Sequence, residues 1–252
     1  TTSPAASVER TGEQAVTQHI VRSFQEELDG LAARIAQMGG LTEAQLAAAI
    51  EAVARRDGEL AERTVQEDKR VDQMEREIEE HAVRLIALRQ PVATDLREAI
   101  SAIKISTDLE RIGDLAKNIA KRAIVLKDFD GSTRLIQGIS RMGHLAQTQL
   151  KHVLDAYSNR EASVAMEVWR EDEEIDAMYN SVFRELLTYM MEDPRTIGIS
   201  THLLFVAKNI ERIGDHATNI AETVSYLVTG EWVNDTRPKS DTTSTTAVKR
   251  EG

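Results

Sequence analysis

Met38 to Asp72, MGGLTEAQLAAAIEAVARRDGELAERTVQEDKRVD, aligns without a gap on Met142 to Asp176, MGHLAQTQLKHVLDAYSNREASVAMEVWREDEEID, with eleven of 35 positions identical at an offset of 104 residues. Farther along, the offset becomes 101, and Glu110 to Lys121 (ERIGDLAKNIAK) matches Glu211 to Glu222 (ERIGDHATNIAE) at nine of 12 positions. A self-match of this length is the signature of an internal repeat, so one structural unit is written twice in the chain.

The unit is helical. Apolar residues recur three and four positions apart, with Ala, Glu, Arg, Leu and Gln between them, and no stretch alternates in the manner of a strand. Only 13 glycines and 4 prolines stand among 252 residues, too few turn formers for many short elements. Breaks fall at Gly39-Gly40, Gly58, Gln90-Pro91, 127–131, Ser158-Asn159 and Asp193-Pro194. Proline lacks a backbone N–H and restricts the residue before it, so Pro91 and Pro194 are expected where one helix has ended and the next begins. These breaks predict helical segments over 12–56, 59–89 and 92–127, then 132–157, 160–192 and 195–229. The fold expected is all-α, two tandem pseudo-symmetric three-helix bundles. Its boundaries are 12–129 for the first bundle and 130–230 for the second, with 1–11 as an N-terminal extension and 231–252 as a polar, mobile tail. The repeat leaves open whether the bundles share an interface or a continuous helical layer.

Charge and composition exclude several functions. With 42 acidic against 31 basic residues the formal charge is -11, which disfavours electrostatic capture of nucleic acid and favours cations or basic partner surfaces. Cysteine is absent, removing disulfides, thiolate zinc sites, iron–sulfur clusters and a cysteine nucleophile. No run nears the roughly 18 apolar residues of a membrane span, and Thr1 to Thr17 carries no basic, apolar leader pattern, so a cytoplasmic protein is expected. No Walker-type loop, G-x-S-x-G elbow or Rossmann glycine fingerprint occurs.

The residues that carry chemistry are four acid-x-x-x-Asp pairs in repeat-equivalent places: Asp68/Asp72 and Glu110/Asp114, then Asp172/Asp176 and Glu211/Asp215. Residues four apart on a helix lie on one face, so each pair aims two carboxylates in one direction. The repulsion costs only about 0.2 to 0.5 kcal/mol per exposed pair; a single such pair reads as a wet acidic face. Fourfold, repeat-matched placement carries more weight. In the third helix of each half, Leu109, Ile112, Ala116 and Ile119, and their mates Ile210, Ile213, Ala217 and Ile220, form the apolar stripe, leaving the acids and Asn118 or Asn219 beside it. In the second helix Val71, Met74, Ile78 and Leu85 mark the core, and Asp68, Asp72, Glu75 and Glu79 flank it. If these helices are antiparallel neighbours, four carboxylates per half converge on a common groove on the outside of the bundle. Such oxygen clusters suit Mg²⁺, Ca²⁺, Mn²⁺ or iron.

Other features have plainer readings. No histidine follows a glutamate at the Glu-x-x-His spacing of ferritin-like dinuclear sites, and Leu115 at the repeat position of His216 argues against an essential imidazole ligand. Gly113 and Gly214 cost about 1 kcal/mol each inside a helix, which points to close helix approach. Trp169, Phe183, Tyr179 and Tyr189 read as core or interface residues, and Arg111 and Arg212 as partners of neighbouring acids.

The duplicated triplet, the Glu-Arg-Ile-Gly-Asp-x-Ala-x-Asn-Ile-Ala segments at 110–120 and 211–221, and the acid pairs together resemble the PhoU family of phosphate-transport accessory proteins over roughly residues 12–230. The resemblance implies two pseudo-symmetric three-helix bundles and a negative regulator of phosphate uptake and of the phosphate-starvation response. Such proteins link the ATPase subunit of a phosphate ABC transporter to a phosphate-sensing histidine kinase by binding, without covalent chemistry. A homodimer, with membrane association only through partners, is also implied. So is a metal, divalent or trivalent (iron, manganese, magnesium or zinc), on Asp68, Asp72, Glu110, Asp114, Asp172, Asp176, Glu211 and Asp215, with Asn118 and Asn219 in support. Two rivals keep the same helices: a metal-dependent phosphoryl hydrolase and a metal-free acidic adaptor.

Overall fold

The computed structural model describes residues 5–127 and 133–234, with side chains over 24–127 and 135–234. Among the described residues there are only helices: α1 (Ala5–Arg55), α2 (Gly58–Arg89), α3 (Ala93–Leu126), α4 (Thr133–Asn159), α5 (Ala162–Glu192) and α6 (Ile197–Thr229), with a single 3-10 turn, Pro194–Thr196, before α6. The backbone of α1 is helical from Ala5, ahead of residue 12; residues 235–252, where a mobile tail is expected, lie outside the described part. No described helix is long and apolar enough to cross a membrane.

Local chemistry sets the breaks. Asp57 caps α2, its side chain accepting the Leu60 N–H at 2.9 Å. Gln90 closes that helix in the left-handed region (φ 48°), its N–H donating to the Ile86 carbonyl, and Pro91 follows. The repeat extends to the turns: Arg56 and Arg160, one repeat apart, both have φ 58°. Asp57 N–H donates to Ala52 O at 3.0 Å, and Glu161 N–H to Ala156 O at 2.9 Å. Gly39-Gly40 is a difference from expectation, since α1 runs through both. Gly39 is there for contact, because a Cβ on it would sit 2.7 Å from Leu154 Cδ2 of α4.

Each half closes as a three-helix bundle, α1–α2–α3 and α4–α5–α6, and the halves meet where α1 packs on α4 and α3 on α6. Asp108 touches His216 and Asn219 while Arg122 touches His202 and Phe205, so α3 and α6 run antiparallel. The apolar stripes named above are buried: Leu109, Ile112, Ala116 and Ile119, like Ile210, Ile213, Ala217 and Ile220, have 0% exposure. At roughly 1.5–3 kcal/mol for each large aliphatic side chain removed from water, these stripes hold α3 and α6 in place. One continuous core unites both halves.

Candidate functional site

The acidic pairs face helix–helix seams. In the first half, one oxygen from each of Asp68, Asp72 and Asp114 lies within 4.8 Å of the others. Gly113 is what permits this approach: a Cβ there would meet Gln45 Oε1 at 3.1 Å and Val71 Cγ1 at 3.2 Å, with Asp68 Oδ1 at 3.7 Å. The mate, Gly214, has Ile175 Cδ1 at 2.8 Å and Asp172 Oδ1 at 3.6 Å from the same point. Both glycines therefore serve close helix approach.

The eight acids divide between the seam and its rim. Asp68, Asp172, Asp176 and Glu211 are buried, at 2–5% exposure, where the second and third helices of each half approach closely, while Asp72, Glu110, Asp114 and Asp215 are half-buried. Carboxylates so placed need compensation. In the first half it comes from Lys117, one turn beyond Asp114, whose ammonium donates to Asp68 Oδ2 at 2.5 Å and also to Asp114 Oδ1. Burial works against the charge of Lys117, but the hydrogen bonds to Asp114 and Asp68 outweigh it and raise its pKa. Gln45 completes the enclosure, Nε2 donating to Asp68 Oδ1 at 3.1 Å. Glu110 stands at the edge. Its Oε2 is buried without a hydrogen bond, although Arg111 Nε lies at an ion-pair distance of 3.4 Å. Burial raises the Glu110 pKa against the pull of Arg111, and Asp114, Glu75 and Asp72 add to the rise.

The second half is built differently. Thr218, the mate of Lys117, donates to the Gly214 carbonyl at 2.9 Å and to Asp172 Oδ1 at 3.3 Å. The cation is instead Lys208, one turn before Glu211, with Nζ 2.9 Å from Glu211 Oε2 and 5.0 Å from the centre of the Tyr179 ring. Burial raises the Glu211 pKa, opposed by Lys208 and supported by Asp215 and Asp176. Among the described residues the three-carboxylate convergence of the first half has no counterpart here.

Asn118 and Asn219 line grooves of the α3–α6 seam. Asn118 lines one with Lys121, Arg122, Phe205 and Asn209. Asn219 lines the other and donates to Asp108 Oδ1 at 3.3 Å, where His216 Nδ1 also lies at 2.8 Å. The position of His216 is thus explained by the seam. Trp169 and Tyr179 are core residues and Phe183 and Tyr189 pack against the core. Lys117 was legible in principle as one of the three mismatches between the two ERIGD segments, where lysine faces threonine, and Gln45 as one of the eleven identities of the longer match, where it faces Gln149; Asp108 carries no motif.

A model of the PhoU domain matches this chain twice, over residues 35–123 and 139–224. The chain belongs to the PhoU family. Among its relatives in that family, the phosphate-specific transport system accessory protein PhoU homolog of Caulobacter vibrioides is 56% identical over 229 residues, covering 91% of this chain and all of that one. The homolog of the same name from Rhizobium meliloti is 52% identical, over 90% of this chain and 96% of its own. The crystal structure of PhoU from Pseudomonas aeruginosa superposes with a TM-score of 0.80 at 43% identity, over 82% of this chain and 100% of that one. That of the phosphate transport system regulatory protein PhoU from Streptococcus pneumoniae gives 0.78 at 33%, over 84% and 99%.

In this chain the acidic sets offer hard oxygen donors, which suit a hard or borderline cation. The first set already holds an ammonium between two of its carboxylates.

Proposed function

We propose that this chain is a cytoplasmic accessory protein that represses phosphate uptake and the phosphate-starvation response when phosphate is plentiful. It does so by binding: one surface takes the ATPase subunit of a phosphate ABC transporter, another the sensory part of a phosphate-sensing histidine kinase. The kinase is thereby kept from activating its response regulator, and a homodimer is the working unit. The reading is supported by the match of both repeats, over nearly the whole chain, to proteins named as accessories of phosphate-specific transport. Phosphatase-reporter output in phosphate-rich medium tests it. Deletion should raise output and complementation restore repression; unchanged output in the deletion strain refutes repression.

The proposal includes a divalent or trivalent ion, iron, manganese, magnesium or zinc, on the eight carboxylates of the acid pairs, where it stabilises the bundle or shapes a contact face. The donor chemistry supports it, with the first set contested by Lys117. Asp114→Ala combined with Asp215→Ala should lower metal content and, with it, thermal stability, since an ion bound only by the folded state shifts unfolding by mass action. Unchanged stoichiometry removes these residues from the ligand set. Metal-dependent phosphoryl hydrolysis that disappears in the double variant would instead make the protein an enzyme.

A further inference from the structure

The two halves descend from one repeat, yet their acidic sets are compensated in different ways. At one position of the repeat the first half has Lys117 and the second Thr218; at another, the first has Thr107 and the second Lys208. Each half thus sets one lysine of its third helix against its acidic residues, but on opposite sides of the Glu-x-x-x-Asp pair. Lys117 spans two helices, tying Asp114 of α3 to Asp68 of α2. Thr107 spends its hydroxyl on the Ile103 carbonyl at 3.0 Å, and Thr218 spends its own on Gly214 and Asp172. The set that holds Lys117 between two helices is also the one in which three carboxylates converge within 4.8 Å.

Beside that set, Gln45 is 2% exposed, donates through Nε2 to Asp68 and leaves Oε1 buried without a partner. Its repeat mate Gln149, beside Asp172, likewise leaves Oε1 buried without a partner, so each set has an unused carbonyl oxygen at its edge and the first alone adds three gathered carboxylates among the described residues. The first set therefore has the donors of a cation site together with a covalently tethered cation. An ammonium brings one charge and no vacant coordination position. It therefore offsets the repulsion without being lost to a chelator, and it occupies space that a metal would need.

We propose that Lys117 is the resident cation of the first acidic set, holding the place a divalent metal would take, so that this half is compensated permanently and takes up metal only when the lysine is removed. The proposal rests on reading the acidic sets as cation sites.

The test is Mn²⁺ binding by equilibrium dialysis with elemental analysis, on the full chain and on Lys117→Thr, which installs the repeat mate, and Lys117→Ala. Each variant should bind one Mn²⁺ per chain more than the native protein, and adding Asp72→Asn should remove the gain. If the native protein binds Mn²⁺ and neither folded variant gains an ion, the proposal is overturned while the metal reading stands. If none of the proteins binds Mn²⁺, both fall. Loss of Mn²⁺ from the native chain on Asp72→Asn alone also overturns it. A measurement on the native protein covers the case in which the variants do not fold: the rate of amine acetylation at Lys117, followed by peptide mass spectrometry. The rate should be unchanged by excess Mn²⁺; a severalfold rise would mean that metal expels the lysine.

Discussion

Gly143→Ala probes how the two halves are seated on each other. Gly143 of α4 lies under Ile50 of α1, and one repeat away Gly39 of α1 lies under Leu154 of α4, a pseudo-symmetric pair of close approaches. A Cβ added at Gly143 falls 2.5 Å from Ile50 Cδ1, 2.8 Å from Cγ1 and 2.9 Å from Cγ2, against about 3.5–4.0 Å for an ordinary carbon contact. Turning Cδ1 aside does not help enough, because Ile50 is β-branched and only 2% exposed, so a helix must shift. Overpacking of this kind costs about 1–3 kcal/mol, and alanine in a helix interior returns about 1 kcal/mol. The net expectation is a loss of about 1 kcal/mol.

Gly40 supplies the control. It lies in the same helix as Gly39, is exposed, and has nothing within 4 Å of an added Cβ, so Gly40→Ala should gain about 1 kcal/mol from helix propensity alone. Urea and thermal unfolding by far-UV circular dichroism should separate the two variants by about 2 kcal/mol, or about 4–8 °C for a chain of this size. In an Ile50→Ala background the clash is gone and Gly143→Ala should become stabilising, a coupling of about 2 kcal/mol. If Gly143→Ala is as stabilising as Gly40→Ala in the native background, α1 and α4 do not meet through these glycines.

Three further outcomes can be checked by the same unfolding assays. Burial pushes the Tyr157 hydroxyl from 10.0 up to about 12; the unfolded chain therefore ionises first, and the associated stability, intact below pH 10, is lost as pH rises towards 12. That loss, about 2–3 kcal/mol, should vanish in Tyr157→Phe, and a wild-type alkaline limb in the variant would refute it. Lys117→Met strands the buried Asp68 carboxylate and should cost about 1–3 kcal/mol at neutral pH, with Asp68→Asn in the same chain recovering part of it; unchanged stability would mean the ion pair is not made. Gly230 ends α6 with φ 81° and packs its Cα face on the Arg97 guanidinium of α3, so Gly230→Ala should lower stability by about 1–2 kcal/mol, and an unchanged midpoint would show that this cap is free to rearrange.

Much of the architecture was legible in one dimension. The gapless match of Met38–Asp72 on Met142–Asp176 established duplication, and the stripes ending in Ile119 and Ile220 established which faces are buried, because helix period and hydrophobic burial are local consequences of sequence. Helix ends followed from Gly58, Pro91 and Pro194 for the same reason. Gly39 misled because a glycine that ends a helix and one that lets a neighbouring helix approach are the same residue type; only the position of Leu154 distinguishes them.

The acidic residues divide along the same line. Spacing alone puts Asp68 with Asp72 and Glu110 with Asp114 on single helix faces, since residues four apart are separated by little more than a turn. Whether those faces meet water or each other depends on how near the helices pack, a property of side chains far apart in the chain. Tertiary structure buried Asp68, Asp172, Asp176 and Glu211, gathered three carboxylates in one half, and set Asn118 and Asn219 in the α3–α6 seam. It also placed the Lys117 ammonium between helices, which no periodicity reveals, because a long flexible side chain finds its partner by electrostatics across space.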